Sequence, residues 1–555
     1  MRIRNGILQF LPIIALIVLV GCGGSANRPV PPPGGVFSNS SLNGTYVVSF
    51  SGYDTSNGYG SYFSMLGSVS ANGNGSLTGG TIDIDDPALG AALGTSYTFT
   101  RLSTSGTYAV TADGRGSGSI SVSINGTSVQ FGLDFVLASN SHGSISRFDA
   151  YGSGSGSIDL QSANLAQSNF AGSYAFGFNG VDSTIANSLA TVGGFTLDAG
   201  GQITAGQQDF GDNGNSRGLR DLSVSGSLLV GAPGSSQLTT NAFGFGTLHF
   251  DVWAIDSAHL KFIETDSVAY MEGDAIASTG HTTLPSGPLV LTLSGEDALE
   301  GPFAAGGLLM SDGTSRITSG LEDVNDQGIV AEAPSVSGSF ASNGARSVLT
   351  LNGIYNGILS NDTLGAASYT FAAYPYNGGA FLLEADNGAG STFGISGGNL
   401  YVQNAASLES SQSYGLNLSG FNGNGEVDSI AQFATSGSTM TGLYDANNLG
   451  YLVTGASLGT GNYSISSNGR GTASFPSLQV NANSYIPALN LTLYVLDSAT
   501  ALFLETDSSQ LSIGTVQLQN ASSGSSMTQP SATIRPQFTV VNPILAAHGS
   551  FRLKS

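Results

Sequence analysis

A short acidic motif recurs along this chain and constrains how it can fold. LFLETD at 502–507 returns as KFIETD at 261–266 and FLLEAD at 381–386, with a degenerate copy, SISRFD, at 144–149. Apolar positions followed by an acid, a small residue and Asp describe a strand running into a turn. Around each copy the same landmarks stand in the same order, which marks a tandem array.

Each unit opens with an aromatic-rich strand that stops at a Gly turn: YVVSFSGYD (46–54), YAFGFNGVD (174–182), LVLTLSGED (289–297) and YGLNLSGFN (414–422). The turn glycines Gly52, Gly180, Gly295 and Gly420 lie 128, 115 and 125 residues apart by subtraction. A hairpin landmark follows at 76–83, 202–209, 316–323 and 439–445. A strand with a Gly-Arg turn comes next at 107–116, 339–346 and 462–471, but the second unit has SLLVGAPG (227–234) there. A long alternating strand leads into the acidic motif, and GSIDLQ, GDAIAS, GNLYVQ or GTVQLQ closes each unit.

Charged residues are only 9% of the 555, hydrophobic residues 40%, and Gly numbers 80. Short runs of Val, Ile, Thr, Tyr and Phe split by Gly, Asn, Ser and Asp indicate an all-β chain. No 3.6-residue period persists after Val20, so almost no helix is predicted. About eight hairpin-linked strands per unit suit an up-and-down barrel, which removes its own edges; a two-sheet sandwich is the alternative. The expected architecture is thus four antiparallel units of about 115–125 residues, at 36–161, 165–279, 284–404 and 408–520, followed by a linker and tail at 521–555.

The formal charge of −22, with only Lys261 and Lys554 as lysines, leaves no basic stripe for nucleic acid to follow. At the front, Arg2 and Arg4 precede an apolar run from Ile7 to Val20 that Pro12 interrupts, the pattern of a signal peptide over 1–21. It ends in LVGC, Leu19 to Cys22, with the only cysteine of the chain last. This resembles the lipobox of bacterial lipoproteins. The resemblance implies cleavage before Cys22, a diacylglycerol thioether on its sulfur and attachment to a membrane. Gly23 in place of Asp implies the outer membrane of a bacterial envelope, on either its periplasmic or its surface face. Residues 22–35, rich in Pro and Gly, read as a tether.

Two acidic constellations are candidates for chemistry. DIDDPALG, DFGDNG, DVNDQG and DANNLG occupy one place in the four units and set Asp83, Asp85, Asp86, Asp209, Asp212, Asp323, Asn325, Asp326, Asp445 and Asn447 before a Gly. Clustered side-chain oxygens on a sharp turn suit calcium, although no acid beyond the Gly completes an EF-hand-like shell. The plainer reading is an Asx-type turn capping a hairpin. Glu264 with Asp266, Glu384 with Asp386, and Glu505 with Asp507 put two carboxylates on one strand face, which reads as solvated acids at a strand end rather than a glycosidase pair. GxSxG at 214–218, 394–398 and 455–459 follows from composition and lacks a strand–turn–helix context. His142, His249, His259, His281 and His548 show no metal-ligand spacing, with His249 and His259 flanking one strand. Trp253 reads as core, or as the lining of a cavity.

The segments LNGTY, ITSGLEDVNDQG, NGRGT and LFLETD are similar to those of uncharacterised secreted repeat lipoproteins of acidobacteria, over most of residues 42–520. That resemblance implies repetition and an envelope location and brings no site residues. The expected function is a non-enzymatic, lipid-anchored surface for adhesion to an extracellular polymer or protein. The alternative is a lipocalin-like carrier of a small hydrophobic ligand, because Gly- and Ser-rich strands leave room inside a barrel.

Overall fold

A computed structural model describes residues 36–521, apart from 59, 184–187, 213–218, 220, 230–236, 243–245, 267, 281, 297–300, 334, 360–362, 387–394, 482–483 and 487. Cys22, the expected tether and the tail at 522–555 lie outside the described residues.

The chain forms four antiparallel barrels. In the first, eight strands from Asn43–Asp54 to Gly152–Leu160 pair in sequence order, and the last returns to the first with Asp54 opposite Gly152 and Tyr46 opposite Leu160. The second barrel closes in the same way from Gly172–Asp182 to Ala269–Ser278, and the fourth from Ser413–Asn422 to Gln510–Leu518. Pairing that returns to its own first strand leaves no open edge and excludes the sandwich.

Two units carry additions to the eight strands. In the third, Ile329–Ala333 pairs alongside the ring of strands running from Ser286–Glu296 to Ile395–Val402. In the fourth, a small hairpin, Leu478–Asn481 with Ser484–Ile486, is inserted between ring strands. The first unit holds a helix that alternation does not signal, Pro87–Leu93. Asp86 caps it by accepting from the Leu89 amide at 2.9 Å, Pro87 starts it, and Gly94 at φ 65° ends it. Two 3-10 segments, Asn39–Ser41 and Gln167–Phe170, precede the first two barrels.

Each barrel interior is filled. Phe50, Phe63, Met65, Ile82 and Phe131 pack the first, and stacked Phe176 and Phe178, with Phe250 and Phe262, pack the second. Leu and Phe fill the third and fourth. The Gly- and Ser-rich strands serve another purpose than a cavity. In Gly152–Leu160 every residue up to Asp159 is buried, because the outer face is covered by the fourth barrel as the inner face is by the core. There Ser155 Oγ donates to Asn417 Oδ1 at 2.9 Å and Ser153 Oγ donates to Asp428. Small side chains let two sheets approach closely.

The recurring Asp of the acidic motif is a staple. Asp149, Asp266, Asp386 and Asp507 accept the backbone N–H of Gly132, His249, Thr370 and Asn490 at 3.2, 2.7, 2.8 and 2.7 Å. Each satisfies a donor where the preceding strand begins its pairing. Their partners Glu264, Glu384 and Glu505, expected in solvent, are buried. Glu384 accepts from Ser396 Oγ at 2.6 Å, and Glu505 accepts from Gln510 Nε2 at 2.9 Å. Arg147 takes this position in the first barrel, paired with Asp54 at 2.6 Å and lying over the rings of Phe63 and Phe131.

Candidate functional site

The recurring chemistry lies between barrels. At the joint of the third and fourth, Arg470 makes two contacts to Asp323, at 2.6 and 2.8 Å, and Tyr494 Oη donates to the same carboxylate at 2.5 Å. At the joint of the second and third, Arg346 stands 3.2 Å from Asp209, which accepts from Tyr374 Oη at 2.8 Å. The joint of the fourth and first repeats this with Arg115 and Asp445 at 2.5 Å, where Val136 replaces the tyrosine. In each case the Asp belongs to the acidic turn of one barrel and the Arg to the Gly-Arg turn of the next.

A second contact recurs beside the first. Gln161 Nε2 donates to Ala254 O, Ser278 Oγ to Pro375 O, Gln403 Nε2 to Val495 O and Gln519 Nε2 to Leu137 O, at 2.7, 2.8, 2.8 and 2.9 Å. These four carbonyls stand at one position of the repeat. The residue at the end of each closing strand, or the one just past it, therefore docks on the following barrel, and the fourth barrel docks on the first. The four barrels form a closed ring through one head-to-tail interface used four times. Near the ring centre Tyr53, Val181 and Phe421, equivalent residues of three barrels, share one apolar cluster. Tyr53 and Phe421 meet edge to face with centroids 6.3 Å apart.

Apolar contacts accompany the polar ones. Tyr374, Phe381 and Leu383 of the third barrel pack on Ala190 and Val192 of the second. Tyr494, Leu502 and Leu504 of the fourth pack on Val290 and Ala304 of the third. Trp253 belongs here as well. It is 2% exposed and packs with Ile255 and Ile263 against Val47 and Leu66 of the first barrel, at a joint rather than in a barrel interior.

The expected calcium turns are thereby reassigned at three joints. Asp209, Asp323 and Asp445 already face a guanidinium, which leaves these carboxylates compensated. Asn325 Nδ2 donates to the carbonyls of Glu505, Asp507 and Gln510 at 2.9, 3.0 and 3.1 Å. Asn447 Nδ2 likewise donates to those of Arg147, Asp149 and Gly152 at 2.9, 3.3 and 2.6 Å. Asp326 is buried, and the side chain of Asp212 lies outside the described residues. Among the described residues no three His, Cys, Asp or Glu side chains are grouped to hold a metal.

The joint of the first and second barrels departs from the rule, because the second unit has no Gly-Arg turn. Burial and the neighbouring Asp251 push Asp83 up to about 8, even though it accepts the Arg101 amide at 2.5 Å. Burial, then the charge of Asp85, pushes Glu264 up to about 11. His249 is half-buried within its own strand, Gly246–Ala254, with Nδ1 3.0 Å from Asp266, and His259 begins the next strand with Nε2 2.6 Å from Asp274. They occupy adjacent strands, and Lys261 Nζ also reaches Asp274 at 2.8 Å.

Sequence reasoning singled out the acids and passed over Arg115, Arg346 and Arg470. A signal was present: the Gly-Arg turn and the acidic turn recur once per unit, as an interface between successive copies requires.

The fold and its joints define a class, a closed ring of four antiparallel β-barrels. No family model and no curated protein matches the chain. Among solved structures it is similar at 10% identity to a mutant of the vaccine antigen transferrin binding protein B from Haemophilus parasuis Hp5, over 70% of this chain and 86% of that one, with a TM-score of 0.19. Intact Ap-TbpB, with its N and C lobes, matches at 10% identity over 68% of this chain and 84% of that one, also at 0.19. Those scores are too low to establish a shared architecture.

Proposed function

We propose that this chain is a lipid-anchored, non-enzymatic envelope protein that holds a rigid ring of barrels on a tether and presents the face away from the membrane to an extracellular polymer or protein. The observation that carries this reading is the position of the two ends. Phe37 N donates to Ala112 O at 3.3 Å, and Gln519 Nε2 donates to Asp113 O at 2.8 Å, so both ends meet one loop of the first barrel. The lipobox-like LVGC stands 14 residues ahead of residue 36. Lipid at Cys22 would then turn that face toward the bilayer.

The opposite face carries Tyr151 and Tyr451, 61% and 78% exposed, at the joint of the first and fourth barrels. Exposed tyrosines suit contact with sugars or protein. The filled interiors favour this reading over a carrier. Protease shaving of intact cells tests it, with a periplasmic protein and a lysed-cell digest as controls. Loss of the ring from intact cells, together with palmitate labelling that Cys22→Ser abolishes, is the expected result. Labelling unaffected by Cys22→Ser, or a ring digested only after lysis, contradicts a lipid-anchored surface protein.

A further inference from the structure

The first joint differs from the third and fourth in two ways that bear on one ligand, while at the second joint the corresponding turn position is Gly211. The first joint lacks the arginine. It also differs at the third position of the acidic turn, where Asn325 and Asn447 each give an amide to three main-chain carbonyls of the next barrel. In the first barrel that position is Asp85. An ionised carboxylate accepts hydrogen bonds and has none to donate.

The carbonyls that would face Asp85 follow from the register. Gly152 opposes Asp54, Gln510 opposes Asn422, and Ala269 opposes Asp182 in the same way. The set in the second barrel is therefore Glu264, Asp266 and Ala269. Thr98, which pairs with Asp85, donates through Oγ1 to the Asp266 carbonyl at 3.2 Å and brings the two edges together. Asp85 is fully buried, and neither of its carboxylate oxygens completes a hydrogen bond, because the neighbouring Thr98 hydroxyl is engaged with the Asp266 carbonyl. Glu264 is 1% exposed with Oε2 also unpartnered.

We propose that the joint of the first and second barrels binds one calcium ion, held by the carboxylates of Asp85 and Glu264 and by main-chain carbonyls of the second barrel, where the third and fourth joints hold an asparagine amide. Two carboxylates supply the charge of a divalent cation. The remaining ligands are neutral oxygens on strand ends, a set that suits calcium with its six to eight flexible oxygen contacts better than magnesium with its strict octahedron. The ion takes the part of the Asn325 and Asn447 amides, binding the carbonyls of the next barrel, and compensates buried acid between two barrels. Only two side-chain carboxylates are needed, which is why no cluster of three marks the site.

Titration calorimetry of the purified full chain with calcium chloride is expected to show one ion per chain. The thermal midpoint should rise with calcium and fall with chelator. Terbium in place of calcium should emit when Trp253, in the same joint, is excited. Asp85→Asn restores the residue of the third and fourth joints. It is expected to abolish calcium binding and the terbium signal while melting in chelator no lower than the parent chain. Glu264→Gln should weaken binding at least tenfold. No bound calcium, several equivalent ions per chain, or undiminished binding in Asp85→Asn overturns the proposal. A parent chain that ignores calcium but loses stability with rising pH, while Asp85→Asn does not, overturns it in favour of a proton on Asp85.

Discussion

Arg115 of the first barrel donates to the carboxylate of Asp445 in the fourth at 2.5 Å, across 330 residues of sequence. The same pairing joins Arg346 to Asp209 and Arg470 to Asp323, where a linker already connects the barrels. One interface thus serves both neighbours in the chain and its two distant ends.

Removing one partner from such a pair strands the other. Asp323 is 4% exposed in its side chain, so Arg470→Ala leaves a buried carboxylate with only Tyr494 and is expected to destabilise the chain by about 3 kcal/mol. Urea unfolding measures it. A double-mutant cycle with Asp323→Ala should return a coupling of at least about 1 kcal/mol, and additivity would place the stability elsewhere.

The recurrence of four units, their all-β character and their barrel topology were legible because hairpin turns and alternation are local signals. The ring was not. Its contacts pair residues far apart in the sequence, such as Gln403 with Val495 and Asn447 with Gly152, and nothing local distinguishes an Asp that caps a turn from one that meets an arginine. The buried Glu505 was misread for the same reason. A strand with both faces covered loses the alternation that would separate inside from outside. The helix at Pro87–Leu93 was legible in retrospect from Asp86, Pro87 and Gly94, but it is too short to show a period.

The buried acids give the ring a pH dependence. Burial pushes Glu322 and Glu505 up to about 8, above the ordinary carboxylate value near 4.5 that they regain on unfolding. The folded state therefore holds these protons over a window where the unfolded state releases them. Their contribution is complete below pH 4.5 and is lost as pH rises through about 8. Asp274 has the opposite sign, since Lys261 and His259 overcome the effect of burial and hold it low, and it matters only in acid. Urea midpoints are expected to fall between pH 5 and 9, and Glu505→Gln should flatten the profile.

Two glycines at the joints have no room for a side chain. A Cβ on Gly328 would stand 2.3 Å from Ser508 O, and one on Gly450 2.6 Å from Ala150 O, and both residues have positive φ, 90° and 96°. Gly450→Val is expected to cost roughly 2 kcal/mol or more through strain and a forced separation of the first and fourth barrels. Thermal melts should show this, whereas Gly437→Ala, with nothing near its Cβ, should cost less.

Trp253 reports on the first joint. As the only tryptophan, and nearly inaccessible, it should emit at short wavelength and resist quenching by acrylamide in the native state. Emission like that of a free indole in folded protein would mean that the first two barrels are apart.

Closure of the ring is tested most directly by a disulfide across the fourth joint. A Cβ on Gly415 would lie 3.6 Å from Cβ of Val136, within the range that a disulfide spans. Val136→Cys with Gly415→Cys, in a chain whose Cys22 is replaced by Ser, should oxidise within one molecule. The product should keep the monomer mass less two hydrogens, run faster on a non-reducing gel and melt at a higher temperature. Free thiols after oxidation, or crosslinks formed only between molecules and in proportion to concentration, would mean that the first and fourth barrels do not meet and that the chain is an open string.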